Sequence, residues 1–539
     1  MRTTLRFLAG ALLLCSLPTR ATVITVPNPG NNNDIQPNLQ AAVNKAQNGD
    51  EVDIPAGQFV VNNNVLITKF VSIHGQGIAQ TILYRSESAS DQLLSNSSSW
   101  DGILNFNIGS NQSSNIQVTG ICFKSKQPSI TSTDGLSLAC DIGIKMVQCV
   151  DFIISDCSFQ YFGNAAIYVI HDDSIVGGLI QRNQFYHNAK GADALGEGYG
   201  VAIFGTNNKW IVNPRLGTSN FIFVENNTFD FHRHSIAAGG CALYVFRHNT
   251  VINNIAGGGD HAIDAHAARM TPGLNYYGTR AVEVYNDSVV NTTFQDGTPI
   301  IPGQSAQLLS NNAVLIKAGD AIIHDNYIRG YRFAVGIIDD NVSGTQAYPI
   351  LSQPGYLSGL WYGQNHSGVT GLYGDGDLFT WNNSFTPYAG TYSSAVFYNF
   401  QPEYFVENRD YHLLAKPGYT TYTYPHPLSA NVVNPSPAPN PTPTPTGGGG
   451  HHGGKHHGRD LFDYYPNPAS AELHITQDAF TEGALVELVD LSGRVVYSTK
   501  MSVGSASLDI SWLPEGAYFI RMTYNDTVQI QPLLVKRQD

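Results

Sequence analysis

Residues 221–266 read FIFVENNTFDFHRHSIAAGGCALYVFRHNTVINNIAGGGDHAIDAH, and this stretch states one phrase twice. Each copy is a short apolar run that ends at an asparagine corner, Asn227-Thr228-Phe229 and then Asn249-Thr250-Val251. Phe229 and Val251 lie 22 residues apart, a step within the range of solenoid repeats. A second phrase follows each corner, His234-Ser235-Ile236-Ala237-Ala238 and His261-Ala262-Ile263-Asp264-Ala265, now 27 residues apart. The five extra residues swell the loop around Ala256–Gly259. A chain that repeats its strands while lengthening one loop builds successive turns of a coil and reserves room at one place on it.

The corner recurs at Asn183-Gln184-Phe185, Asn286-Asp287-Ser288-Val289, Asn326-Tyr327-Ile328 and Asn383-Ser384-Phe385. Asparagine tolerates the left-handed region, its amide bonds neighbouring backbone, and stacked corner amides can bond each other from rung to rung. The spacings are irregular, 39 residues from Val289 to Ile328 and 44 from Phe185 to Phe229, so the loops vary in length. The expectation is an all-β chain, a right-handed parallel β-helix from about Thr22 to Leu428, with a separate small domain at the C-terminus.

The first 21 residues, MRTTLRFLAGALLLCSLPTRA, read as a signal peptide: Arg2 and Arg6, an apolar core from Phe7 to Leu17, and Ala21 at the cleavage point. A lipid anchor on Cys15 is the competing reading, but Leu14 stands where lipobox patterns want a small residue. No later run reaches the length of a membrane span. The chain is expected to pass through the periplasm and to end secreted or attached to the outer surface. Its net charge of −13 argues against nucleic acid or an anionic membrane as partner. Gly numbers 53 of 539 residues and only 13% are charged, in keeping with short Val/Ile/Phe runs separated by polar turns. Beyond the signal stand Cys122, Cys140, Cys149, Cys157 and Cys241. Their spacing carries no zinc pattern, and they permit at most two disulfides. The reading favoured for most of them is a small apolar residue stacked inside the coil.

From Asp34 to Asp50 the apolar residues Ile35, Leu39, Ala42, Val43 and Ala46 make a helical stripe, with Gly49 placed to end it. Strand runs follow at Glu51–Phe59, Val65–Ile67 and Val71–Gly77. This order resembles the entrance of pectate-lyase-like β-helix proteins, where a short amphipathic helix plugs the open end of the coil. An unplugged rung would expose apolar side chains and free strand edges. The resemblance implies the fold and leaves the reaction open. Polygalacturonase-like hydrolases of this fold carry N-x-D, a paired Asp and G-H-G; here Asp172-Asp173 supplies a doublet and no G-H-G occurs. The calcium carboxylates and basic residue of the pectate lyases cannot be placed residue by residue either.

Residues 429–458 read as a linker, NPSPAPNPTPTPT extended and GGGGHHGGKHHG flexible. Its His451, His452, His456 and His457 could bind metal weakly. Residues 459–539 follow one pattern throughout: Tyr464-Tyr-Pro-Asn-Pro-Ala469, Val486-Glu-Leu-Val-Asp-Leu-Ser-Gly-Arg-Val-Val496, Leu508-Asp-Ile-Ser-Trp-Leu-Pro-Glu-Gly-Ala-Tyr518 and Leu533-Leu-Val-Lys536. The stretch resembles the type A sorting domain of the bacterial type IX secretion system. That resemblance implies carriage across the outer membrane by that machinery. Read from its residues alone, it is a small antiparallel, Ig-like β-sandwich with turns at Ser492-Gly493 and Pro514-Glu515-Gly516.

Alignment on the aliphatic residues Ile167, Ile236, Ile263 and Val335 stacks their neighbours into columns. Two before them stand Ala165, His234, His261 and Phe333; one after, Tyr168, Ala237, Asp264 and Gly336; three after, Ile170, Gly239, His266 and Ile338. With the aliphatic residues inward, alternation puts Asp264 and His266 together on the outer face. A second outward column reads Glu225, Arg247, Tyr285, His324. The candidate catalytic residues are therefore His234, His261, Asp264 and His266, converging on one exposed patch. Arg233 and Arg247, which can pair a uronate carboxylate, and Tyr276 and Tyr277, which can stack on sugar, are the candidate substrate-binding residues. No metal ligands are assigned, and calcium on carboxylates stays possible. Such a surface suits an extended glycan, because a ridge of side chains rising one rung at a time tracks successive sugars. Three readings stand: a carbohydrate-active enzyme, lyase or hydrolase; a non-catalytic glycan-binding or adhesive surface protein; and a structural exoprotein. The first predicts a cleft walled by loops 256–260 and 270–279.

Overall fold

The computed structural model describes most of residues 21–432 and much of 463–537; the longer stretches outside the described residues are 1–20, 86–101, 126–140, 189–197, 253–260, 292–311, 339–377 and 433–462. The chain divides into two compact units, Met1–Pro439 and Asn440–Asp539.

The first unit is a parallel β-helix of three sheets with eleven, ten and ten strands. Each turn gives one strand to each sheet in the same order, as in Ile222–Glu225, Thr228–Asp230 and His234–Gly239, then Leu243–Arg247, Thr250–Ile252 and His261–Ala265. Every pairing in these three sheets is parallel and in register, with Phe229 beside Val251 and Ile236 beside Ile263. The inward residues of all three sheets form one continuous core in which Phe123, Phe159, Phe185 and Phe229 stack. The described cysteines Cys122, Cys149, Cys157 and Cys241 are all buried.

The helix Gln36–Lys45 buries Leu39, Ala42 and Val43 over the first rung, with Ile35 and Ala46 at its ends also buried. Lys69 Nζ donates to the last-turn carbonyls of Asn44 and Ala46, at 2.8 and 2.6 Å. The helix stops at Lys45 because Ala46 turns to an extended conformation. Gly49, expected to end it, sits three residues further on, at φ 90°, and donates its N–H to Phe70.

The asparagine corners form a ladder inside the coil. Asn183 donates to Asn227 Oδ1, Asn227 to Asn249 Oδ1, Asn249 to Asp287 Oδ1, and Asn326 to Asn383 Oδ1, each through backbone N–H and side-chain amide at 2.7–3.2 Å. Two details differ from the sequence expectation. The left-handed residue is the one before the ladder position, Arg182, Asn226, His248, Asn286, Asp325 and Asn382, all with φ between 52° and 58°. In the fourth rung the ladder residue is accordingly Asp287 and not Asn286.

Asp287 is an acid doing an amide's task. Its Oδ1 accepts two bonds from Asn249, while its buried Oδ2 has no hydrogen-bond partner among the described residues. Burial pushes its carboxyl well above the usual range, against the bonds from Asn249 and the charge of Arg247. The folded chain therefore keeps this proton at pH values where the unfolded chain has lost it. Stability is full below the ordinary carboxylate pKa and falls as pH rises toward the raised folded value, by up to about 1.4 kcal/mol per pH unit in that window. Asp287→Asn is expected to raise the neutral-pH unfolding midpoint in urea, with the gain shrinking toward pH 4. A gain that does not vary with pH would contradict the protonation account.

After Ala395–Asn399 the chain leaves the coil and runs back along the outer face of the first sheet. Tyr419 OH donates to Glu283, Tyr424 stacks on His248 at 3.6 Å, and Gln117 donates to the carbonyl of Asn431. The stretch 409–428 thus covers one side of the β-helix, and the 3-10 turn Pro427–Asn431 carries it slightly past the expected boundary at Leu428.

The second unit holds a three-stranded and a four-stranded antiparallel sheet around its own core of Leu473, Ile475, Val486, Leu488, Ile520 and Leu533 among others. That is the small sandwich read from the sequence.

Candidate functional site

The third sheet carries the candidate residues, and the register expected from the sequence holds. Ala165, Tyr199 and His234 stand side by side, and His261, Asn312 and Phe333 continue the column. Ala237 stands beside Asp264, and Asp264 beside Leu315. Ile236, Ile263 and Ala265 point into the core, which turns Asp264 and His266 outward on the same strand edge.

Asp264 is the centre of the cluster. Its Oδ1 lies 3.0 Å from His261 Nε2 and its Oδ2 3.0 Å from His266 Nε2, with His234 Nε2 at 3.8 Å and Lys317 Nζ at 3.6 Å. The His234 and His261 rings stack at 4.6 Å, and Tyr199 covers the far side of His234 at 5.6 Å. His234 Nδ1 donates to the carbonyl oxygen of His261 in a short bond across the rung. Burial alone would raise the Asp264 carboxyl, but the charges of His266, Lys317 and His261 outweigh it and hold it well below the usual range. Burial, with His261 and Arg233 close by, pushes His234 well below the usual imidazole range despite Asp264.

The four residues converge, but the patch is not exposed. The side chains of Asp264 and His234 have no accessible surface, His261 keeps 5%, Lys317 11% and His266 22%. His266 is the member that reaches the surface. Beyond it along the same outer column lie Gly239, Phe204 and Ile170. Phe204 stacks on Tyr168 at 5.3 Å, and a Cβ on Gly239 would come within 3.0 Å of the Phe204 ring. Along this column the half-buried Phe204 ring, resting on the buried Tyr168, and then the bare Gly239 lead to His266.

Arg233 sits beside the cluster, half-buried, with its guanidinium 3.5 Å from Tyr199 OH. Arg247 does not join it. It lies on the first sheet, fully buried, 2.6 Å from Glu225, and donates to Tyr285 OH and to the carbonyls of Tyr422 and Thr423. The outward column Glu225, Arg247, Tyr285, His324 exists in register, but the returning segment covers it, so this arginine is consumed in structure. Tyr276 and Tyr277 lie outside the described residues, as do loop 256–260, Asp173 and the linker histidines. Of loop 270–279, the described part includes a short antiparallel pair, Met270–Thr271 with Leu274–Asn275.

Tyr199, Phe204, Asn312 and Lys317 belong to the site and were not among the sequence candidates. A signal for them exists. Six strands of the third sheet share a residue–small–aliphatic start: Ala165-Ala-Ile, Tyr199-Gly-Val, His234-Ser-Ile, His261-Ala-Ile, Asn312-Ala-Val and Phe333-Ala-Val. Counting on three from the aliphatic member reaches Phe204 and Lys317 directly.

The second unit decides the route of the chain. Residues 463–536 match the family model of the secretion system C-terminal sorting domain. The chain carries a sorting domain. Such a domain marks the β-helix unit for export to the cell surface or the medium, and no helix among the described residues is long and apolar enough to cross a membrane. A comparison with curated proteins gives no match. Among solved structures the chain is similar to ORF18 of Geobacillus virus E2, with 10% identity, TM-score 0.39, and 96% of this chain and 74% of that one covered. It is similar to the tailspike protein gp49 of Acinetobacter baumannii bacteriophage Fri1, a capsular polysaccharide depolymerase, at 10% identity and TM-score 0.33 over 97% and 81% of the two chains. It is also similar to the catalytic unit of a thermostable GH87 alpha-1,3-glucanase from Streptomyces thermodiastaticus, at 10% identity and TM-score 0.32 over 71% and 68%. The sorting domain fixes where its carrier goes; the chemistry has to be argued from the third sheet.

Proposed function

We propose that the chain is an exported carbohydrate-active protein that cleaves an anionic polysaccharide, as a lyase or a glycoside hydrolase, on the outer face of the third sheet. The observation that carries the reading is the buried Asp264 carboxylate, 3.0 Å from both His261 and His266, with His266 opening to the surface in the same outer column as the half-buried Phe204. The half-buried Phe204 ring supplies one stacking surface for a sugar, and the bare Gly239 beside it leaves room for the chain toward His266. His266 is the group that meets substrate, and Asp264 positions it. Arg233 is the cation for a uronate carboxylate, and Tyr276 and Tyr277 are proposed sugar contacts from the segment that follows. Arg247 leaves the set because its contacts are complete.

In the lyase form, His266 takes the proton α to the uronate carboxylate and the Arg233 and Lys317 charges stabilise the enolate. The C4–O bond then breaks, its electron pair leaving with the glycosidic oxygen, and a double bond remains in the ring. In the hydrolase form, His266, held by Asp264, takes a proton from a water as it adds to the anomeric carbon, and the glycosidic oxygen departs with the electron pair of the broken bond and takes up a proton from solvent. A panel of polysaccharides incubated with the mature protein separates the two: unsaturated products for the first, new reducing ends alone for the second. The complete burial of Asp264 and His234 favours a second reading, a non-catalytic glycan-binding surface, which would retain a polysaccharide without cleaving it. Neither cleavage nor retention across plant, algal and capsular polyanions would overturn both.

A further inference from the structure

The polar atoms at the heart of the cluster are arranged in a way that hydrogen bonding does not explain. His234 uses Nδ1 as a donor to the carbonyl of His261, which leaves Nε2 as the ring atom turned toward Asp264. That nitrogen stands 3.8 Å from the Asp264 carboxylate, beyond hydrogen-bond length, in a place with no accessible surface. Nε2 of His234 and both oxygens of Asp264 are buried without a hydrogen bond of ordinary geometry, although basic nitrogens crowd the carboxylate. A buried imidazole nitrogen and a buried carboxylate left without hydrogen bonds and facing each other are a ready pair of ligand atoms for a cation.

We infer that His234, His261 and Asp264 are a binding site for a divalent transition-metal ion of the zinc class. One ligand atom from each, the two imidazole nitrogens and a carboxylate oxygen, can be chosen within 4.8 Å of the others. Metal–ligand bonds of roughly 2.0–2.1 Å in a tetrahedron put ligand atoms about 3.3 Å apart; here His261 Nε2 stands 3.0 Å from Oδ1 and His234 Nε2 3.8 Å from Oδ2, so the carboxylate can meet an ion held between the two rings through either oxygen. The backbone carbonyl on His234 Nδ1 is the outer partner that a metal-bound imidazole needs, since it fixes the tautomer and the ring. His266, 3.0 Å from Oδ2, orients the carboxylate from outside. Two imidazoles and one carboxylate suit zinc, iron or cobalt and not calcium, which takes six to eight oxygens. Three protein ligands leave a coordination position free, as in sites that act on substrate.

Lys317 competes for the same carboxylate from 3.6 Å, and this gives the inference an unusual signature. Removing that ammonium should tighten metal binding, whereas a purely structural Lys–Asp–His network has nothing to gain from it. The inference stands on ligand geometry and holds whether or not a glycan is cleaved, so its test reads metal alone.

The full mature chain is stripped with a chelator, dialysed against zinc and counted for metal, and cobalt is added in parallel for its visible spectrum. One equivalent per chain with a low-symmetry cobalt spectrum is expected. His234→Gln and Asp264→Asn should weaken binding by more than the roughly 10–100-fold that loss of an outer partner costs, and His266→Gln by an amount inside that range. Lys317→Met should bind more tightly than the parent. A chain with His451, His452, His456 and His457 changed to serine should bind as the parent does. Circular dichroism confirms that each variant keeps its β-sheet. Absence of binding in the parent, binding unchanged in both His234→Gln and Asp264→Asn, or binding lost with the linker histidines would each overturn the inference.

Discussion

Removal of residues 463–536 is expected to leave the β-helix unit folded and trapped in the periplasm. The two halves of that statement rest on different observations. Folding survives because the first unit has a core of its own, from Val26 to Phe405, and the sandwich has a separate one. Delivery fails because the address lies entirely in the removed stretch, which matches the sorting-domain model. The effect is all or none: fractionation of cells expressing the truncated chain should recover it in the periplasmic fraction, with none in the medium or on the outer surface. Delivery at the parent level would show that the route is encoded elsewhere. Degradation of the truncated chain as a consequence of misfolding would be visible as lost protease resistance, and the first unit is expected to keep that resistance.

Much of the fold was legible because its signals are local. The ladder phrase around Asn227 and Asn249, the aliphatic alternation at Ile236 and Ile263, and the apolar stripe of the plug helix can each be read within a single repeat step of 22 or 27 residues. The column alignment placed Asp264 and His266 on one face for the same reason: strand alternation has a fixed period of two. Errors arose where the answer depends on distant chain. Arg247 reads as an exposed cation on its own strand, but its carbonyl partners at Tyr422 and Thr423 lie about 175 residues away, and nothing local announces that cover. The same holds for the burial of His234 and Asp264, which strand periodicity cannot report. Tyr199, Asn312 and Lys317 were missed because variable loops separate their rungs. Once the spacing varies, only the small residue before each aliphatic position keeps the register visible. The Asp287 ladder position was misread by one residue, since Asn286 imitates the motif while actually serving as the left-handed residue before it.

The largest expected effect at the site belongs to His266 and Asp264, and it tests the central claim that the outer face of the third sheet is the working surface. Asp264→Asn keeps the volume of the side chain but removes the charge against which His261 and His266 are set, and His266→Ala removes the one member of the cluster with appreciable access to substrate. Arg182→Ala, which breaks an exposed ion pair with Asp156 at the corner that follows the first sheet, serves as the control. The decisive measurement is the initial rate of chain cleavage by the parent and these three variants on the polysaccharide identified by the panel, with β-sheet content checked for each. The account predicts a loss of at least about a hundredfold for Asp264→Asn and for His266→Ala, the scale of a lost general acid or base, and no loss for Arg182→Ala. Full activity in both cluster variants would contradict it and move the working surface to another face of the coil.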